Sequence, residues 1–147
     1  MSDIRVEADR TLDAPAEVVY QFLKDYRVKH PSVLPPAFHD YVVEEGGEGE
    51  GTIFRVSVRT GGSDRHYHMR VSEPTPGSVL QEKDLVNTMT TTFTVTPLDD
   101  GTRSTLRIAS HWTVGGLAGF LERAFAPGVT RRLYVDELNR VATAVKS

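Results

Sequence analysis

The sequence predicts an α+β fold in which a curved antiparallel sheet of seven strands wraps around one long C-terminal helix. Two observations support this prediction. Residues 4–12 and most of residues 38–112 alternate between apolar and polar side chains, as expected of strands with one buried face. Residues 116–146 instead repeat apolar side chains at the spacing of a helix. Because strands and helices occupy separate stretches of the chain, we expect the strands to pair as antiparallel hairpins.

The N-terminal part is predicted to form one strand and two short helices. Residues 4–12 alternate apolar and polar side chains, with Arg10 as a polar residue on the apolar side. Asp13 suits the N-cap of a helix, and Pro15 suits its first turn, where a missing N–H group costs nothing. Three prolines between positions 31 and 36 leave room only for a short second helix near residues 28–34. The buried stripe of the first helix is predicted to be Val18, Val19, Phe22, Leu23 and Tyr26.

Six more strands follow, separated by segments rich in Gly, Pro and Asp. Residues 61–64 (Gly-Gly-Ser-Asp) and residues 99–101 (Asp-Asp-Gly) are typical of hairpin turns. The strands are predicted at residues 41–45, 52–59, 65–72, 79–83, 89–96 and 104–112.

The C-terminal helix would be roughly 45 Å long at 1.5 Å per residue, enough to cross a small domain. Pro127 predicts an interruption within it. If the helix is instead continuous, Arg131 falls in the middle of its apolar side. That side is predicted to consist of Leu117, Phe120, Ala124, Val135, Leu138, Ala142 and Val145.

The composition is that of a globular protein, and residues 1–147 are expected to form one domain. A formal net charge of −3 with interspersed signs argues against a nucleic-acid partner, which would require a basic patch. The absence of cysteine excludes a cysteine nucleophile and thiolate metal ligands. Since neither a signal peptide nor a membrane-spanning run is evident, we expect a cytoplasmic protein without integral membrane association.

Three stretches carry a resemblance to a known family: RTLDAPAEVVYQFLKDY, HPSVLPPAFHDY and the C-terminal WTVGGLAGFLERAFAPGVTRRLYVDELNRVATAVK. In their order they resemble the START-like or SRPBCC superfamily, whose helix-grip fold is also that of Bet v 1-like proteins. The most similar branch is the polyketide cyclase/dehydrase-like one, with its COQ10-like lipid-binding proteins. The resemblance covers essentially the whole chain, and it implies a cavity for lipids, polyketides, sterols or other apolar molecules.

The residue pattern is compatible with such a cavity and also with a filled core. The inward positions combine large side chains with small or polar ones, such as Thr91 and Ser110. A hollow with a few polar contacts is the usual anatomy of a small-molecule site. The residues predicted to line it are Tyr41, Phe54, Val56, Tyr67, Met69, Thr91, Phe93, Ile108, Ser110, Trp112, Phe120, Arg131, Tyr134 and Leu138.

Arg131 is the most informative of these candidates, because an unpaired buried guanidinium is costly and needs a partner. In one interpretation it holds a carboxylate, enolate or carbonyl group of a ligand, with Tyr134 nearby. In the other, the break at Pro127 rotates it away, or it pairs with an internal carboxylate.

Other familiar kinds of site are not predicted. His66 and His68 share one strand face, but Tyr67 and Met69 occupy the buried face, and no third metal ligand is evident. The glycine-rich residues 46–51 contain two glutamates and no lysine, unlike a phosphate-binding loop. We therefore expect no metal and no cofactor.

Binding of an apolar or amphipathic small molecule between sheet and helix is the favoured function. The alternative is an aromatase/cyclase-like enzyme acting on a poly-β-ketone, which would need a general base that the sequence does not identify. A protein-interaction module is a further alternative, and it would require a large exposed apolar patch.

Overall fold

The computed structural model describes residues 2–146, apart from the side chains of Ser2, Ala118, Phe120 and Leu121. Within this part of the chain, one strand and two short helices precede six further strands and a long helix, as predicted. In chain order the elements are β1 (Ser2–Leu12), α1 (Ala16–Lys24), α2 (Lys29–Ser32), β2 (Phe38–Glu45), β3 (Ile53–Thr60), β4 (Ser63–Thr75), β5 (Val79–Asp84), β6 (Thr90–Leu98), β7 (Arg103–Val114) and α3 (Gly116–Val145).

The strands form one antiparallel sheet in the order β1-β7-β6-β5-β4-β3-β2. Strand β1 pairs with β7 without interruption, from Ser2 opposite Val114 to Leu12 opposite Ser104. The β2–β3 and β4–β5 pairs contain register shifts instead. Such irregularities bend a strand and increase its twist. The result is the curved seven-stranded sheet around a long helix that the sequence predicts.

The packed core lies where α1 and the C-terminal half of α3 cover β1, β6 and β7. Leu106 and Ile108 of β7 are completely buried there, against Leu23 of α1 and Val141 of α3, which are also completely buried. Helices α1 and α3 make their main contacts with these three strands. The inner faces of β3, β4 and β5 are therefore left with less cover.

Helix α3 differs from its prediction in two ways. It is continuous from Gly116 to Val145, with Pro127 inside it, so the expected interruption is wrong. Its buried side is also different, because Leu117 is 81% and Val135 is 37% exposed. The stripe that packs on the sheet is Tyr134, Glu137, Leu138, Val141 and Val145, of which the prediction contained only Leu138 and Val145.

The reason is that the apolar residues of α3 do not follow one straight stripe along its length. Only its C-terminal half packs closely on the sheet, and that half includes a buried glutamate that a hydrophobic pattern does not select. Although α3 is long, no helix in the described part of the chain is apolar enough to cross a bilayer.

The start of α1 also departs from its prediction. Pro15 occupies the N-cap position, whereas the carboxylate of Asp13 lies 3.1 Å from Nε of Arg103 on β7. Val18 is 48% exposed, and Tyr20 is buried in the core instead. The Tyr20 hydroxyl donates a hydrogen bond of 2.6 Å to Glu73, which explains how a polar atom is accommodated there.

We predict that Leu138→Ala lowers the free energy of unfolding by about 2 to 5 kcal/mol, because it removes a buried side chain from a packed region. Val135→Ala, on the exposed side of the same helix, is the matched control and should change it by about 0.5 kcal/mol or less. Urea denaturation of both variants measures the difference. Equal losses would contradict the observed orientation of α3.

Candidate functional site

A cavity of about 450 Å³ lies between the inner face of the sheet and the helices α2 and α3. Strands β2 to β7 and residues 122–137 of α3 contribute to its walls. It occupies the region that the packing of α3 on β1 and β7 leaves uncovered. Small-molecule sites have volumes of about 300 to 1,000 Å³. The interior is therefore hollow, which the sequence pattern left undecided.

Most of the predicted site residues line this cavity. Ile108 and Leu138 do not, because they are buried in the packed core beside it. Ser110 lies behind the wall, and the side chain of Phe120 is outside the described residues. The predicted residues that do line the cavity are Tyr41, Phe54, Val56, Tyr67, Met69, Thr91, Phe93, Trp112 and Tyr134.

Arg131 is exposed and does not line the cavity, so its predicted inward position is wrong. The cavity meets the flank of α3 that carries Ala126, Leu133 and Glu137. Residues two positions apart in a helix point about 160° away from each other. Arg131 therefore projects nearly opposite to Leu133, into solvent.

The closed end of the cavity contains four polar side chains, Tyr26, His30, Glu82 and Glu137, which we call the polar cluster. Each is less than 10% exposed. Nδ1 of His30 donates a hydrogen bond of 2.7 Å to the carbonyl oxygen of Leu23, so this nitrogen carries a proton. That bond directs Nε2 of His30 towards Glu137, whose Oε2 atom lies 3.5 Å away.

Glu82 and Tyr26 complete the polar cluster. The Tyr26 hydroxyl donates a hydrogen bond of 2.8 Å to Oε2 of Glu82. The Tyr41 hydroxyl donates to the carbonyl oxygen of Tyr26 at 2.6 Å and so holds this segment against β2. Three chain segments far apart in sequence thus bring one imidazole and two carboxylates to the same end of the cavity.

Burial shifts the protonation equilibria of this cluster. It raises the pKa of Glu82 to about 7, against the opposing effects of His30 and of the Tyr26 hydrogen bond. Burial alone would lower the pKa of His30, but Glu137 and Glu82 outweigh it and the pKa lies above its ordinary value. At least one group of the cluster therefore exchanges a proton near neutral pH.

A second chain of hydroxyl groups lies along the inner wall. The hydroxyls of Tyr134 and Ser110 are hydrogen-bonded, and Oγ of Ser110 lies 2.6 Å from Oγ1 of Thr91. Burial raises the pKa of Tyr134, so its hydroxyl stays protonated. Ser110 thus supports two wall residues from behind and does not face the cavity itself.

The other end of the cavity reaches the surface between β4 and α3. Arg65 binds both carboxylate oxygens of Glu122, at 2.6 and 3.1 Å. The indole N–H of Trp112 donates to the same carboxylate at 2.6 Å. Phe125 lines this end while being 69% exposed, which shows that it is open to solvent.

Sequence reasoning predicted that Tyr26 is buried, but it selected no member of the polar cluster as a site residue. For Glu82 a signal existed, because Leu80, Glu82 and Asp84 alternate on the inward face of β5. For Glu137 the signal was its position three residues after Tyr134, a spacing that puts both side chains on the same face of the helix. The prediction assigned a different face of α3 to the core, so this signal was not used. His30, in a proline-rich segment without periodicity, offered none.

The histidines considered for a metal serve other contacts. His66 of β4 bonds to Ser57 on the neighbouring strand β3, and His68 of β4 bonds across β3 to Glu44 on β2. Among the described residues, no group of three His, Asp or Glu side chains is arranged to hold a metal ion.

The chain was compared with known proteins. A solution structure of KanY protein is 27% identical, with a TM-score of 0.86 and 100% of both chains covered. The ZhuI aromatase/cyclase from Streptomyces sp. R1128 is 22% identical, with a TM-score of 0.79 over 99% of this chain and 94% of that one. A START superfamily protein from Mycobacterium smegmatis is 15% identical, with a TM-score of 0.73 over 95% and 98%.

A search of proteins with curated functions finds no match. The sequence model of one family, described as polyketide cyclase / dehydrase and lipid transport, matches residues 3–146. Because this match spans nearly the whole chain, the chain belongs to the polyketide cyclase / dehydrase and lipid transport family, and its helix-grip fold is shared with the START superfamily protein.

Proposed function

We propose that this protein binds an apolar or amphipathic small molecule in the cavity between the sheet and α3. The observation that carries this proposal is a hollow of about 450 Å³ with largely apolar walls, one closed polar end and one open end. A ligand would enter near Phe125 and place its apolar body between β3, β4 and β6.

The apolar walls would supply most of the affinity. Phe54 is 4%, Met69 is 5% and Phe93 is 3% exposed, so these side chains have already been removed from water by folding. A ligand gains roughly 25 cal/mol for each Å² of apolar surface that it buries against them. The polar cluster would then set the orientation, because a polar group on the ligand can be satisfied only at that end.

Acid–base catalysis in the same cavity is a second candidate function. It is favoured by the buried polar cluster, where His30 lies 3.5 Å from Glu137 and burial raises the pKa of Glu82 to about 7. A catalytic acid or base works best when its pKa is close to the operating pH. Such a group could take a proton from a carbon next to a carbonyl, while a tyrosine hydroxyl donates to the enolate oxygen.

We predict that Val56→Trp lowers the affinity for a neutral apolar probe such as Nile red by about tenfold or more, because the indole occupies part of the cavity. Arg59→Trp on the same strand, with 62% of its native side chain exposed, is the matched control and should leave binding unchanged. Probe fluorescence measures both affinities. Equal binding by all three proteins would place the probe outside the cavity.

The pKa shift of Glu82 also makes stability depend on pH. Between its ordinary value of 4.5 and about 7, the folded protein holds a proton on Glu82 that the unfolded chain has lost. Folding therefore becomes less favourable as pH rises through this window. The raised pKa of His30 acts in the same direction, since its stabilising charge is lost as pH rises through that value.

We predict that the wild-type protein loses about 1 to 3 kcal/mol of unfolding free energy between pH 5 and pH 8 through Glu82. Glu82→Gln should reduce this dependence, because the amide carries no proton equilibrium but still accepts from Tyr26. Glu48→Gln, with 72% of its native side chain exposed, is the control. Urea titrations at both pH values test this, and an unchanged slope for Glu82→Gln would contradict it.

A further inference from the structure

We propose that the polar cluster binds a protonated amine, so that the ligand is an apolar molecule carrying one cationic nitrogen. This inference rests on the proposed binding function and specifies the class of ligand. It follows from an unsatisfied carboxylate oxygen, from the charges that face the cavity and from the aromatic rings around them.

Oε2 of Glu137 is the first observation. The side chain is 4% exposed and lines the cavity. No side chain or backbone group among the described residues makes a hydrogen bond to this oxygen, and Nε2 of His30 approaches it only to 3.5 Å. A buried carboxylate oxygen without a hydrogen bond is costly. A donor on the ligand would remove that cost.

The charges facing the cavity are the second observation. In the polar cluster, Glu82 and Glu137 share a single imidazole, that of His30. At the open end, Arg65 is already bound to both oxygens of Glu122. The remaining titratable groups on the described wall are tyrosines, namely Tyr26, Tyr41, Tyr67 and Tyr134, each with its pKa raised chiefly by burial.

The closed end therefore has one acidic group more than it has basic groups. An ammonium group supplies both the missing positive charge and N–H donors for Oε2 of Glu137. A ligand carboxylate placed there would add a further acidic group beside Glu82 and Glu137 and would be disfavoured.

Aromatic rings surround the same place. The ring of Phe54 lies 5.3 Å from that of Tyr26 and 5.3 Å from that of Tyr41, measured between centroids. The Phe93 ring stands edge-on to His30 at 5.2 Å. Cations are attracted to aromatic faces, and more strongly when water is excluded. The walls thus favour an ammonium group over other polar groups of similar size.

A ligand series with one apolar chain and three head groups tests the proposal: n-decylamine, n-decanol and decanoate. Trp112 is the only tryptophan of the sequence and lines the cavity, so its fluorescence reports binding. At pH 7 we expect the amine to bind more tightly than the alcohol by roughly tenfold to a hundredfold, because it forms a buried charge pair. Decanoate should bind most weakly.

Glu137→Gln should abolish the preference for the amine and preserve binding of decanol. Asp136→Asn is the matched control, because this neighbouring carboxylate points outward and pairs with Arg140 at 3.1 Å. It should keep the preference. If Glu137→Gln does not fold, the affinities of the wild-type protein for the three ligands test the proposal by themselves. Calorimetry in two buffers then measures whether protons are released on binding. Release of protons on binding decylamine is expected, since a cation favours the ionised form of Glu82.

Each outcome has a distinct meaning. If decanol binds and decylamine binds no more tightly, water satisfies Glu137 and the amine proposal is overturned, while the cavity remains a binding site. A preference for decanoate would overturn it as well. If none of the three ligands binds, the proposed binding function fails.

Discussion

The position of α3 on the sheet is the constraint on which the cavity depends. Its C-terminal half packs against β1 and β7, where Leu138, Val141 and Val145 join the core. A single helix can cover only part of a curved sheet. Helix α1 covers a further part, over β6 and β7. The inner faces of β3, β4 and β5 are left without a close-packed partner. The space beneath them is the cavity, and the N-terminal half of α3 forms its outer wall.

The polar cluster lowers the stability of the folded protein. Removing carboxylates from water is unfavourable, and pairing them with an imidazole offsets only part of that desolvation free energy. Apolar side chains in the same positions would make a more stable protein. Groups that weaken a fold are most readily explained by a role in binding or chemistry. In this protein they also lie at the closed end of the cavity, where a ligand would be shielded from water.

Binding and catalysis draw on the same groups in this protein. A carboxyl whose pKa lies near 7 can hold a cation in its ionised form or exchange a proton with a substrate. The two functions differ in whether the bound molecule has a reactive carbon within reach of the cluster. The salt bridge between Arg65 and Glu122, which ties β4 to α3 at the open end, would serve either one by defining the entrance.

The fold could be read from sequence because it rests on local periodicities: alternation in the strands, helical spacing at the C-terminus, and turns marked by Gly and Asp. The same alternation placed Phe54, Met69 and Phe93 on the inner face, so the apolar wall was largely predictable. The face of α3 that packs on the sheet was not predictable, because a helix with apolar residues on several sides is oriented only by the surface that it contacts. Arg131 was predicted to point inward for this reason. The polar cluster was also decided by tertiary structure alone. Its members come from α2, β5, α3 and the segment after α1, and no local pattern records that they meet.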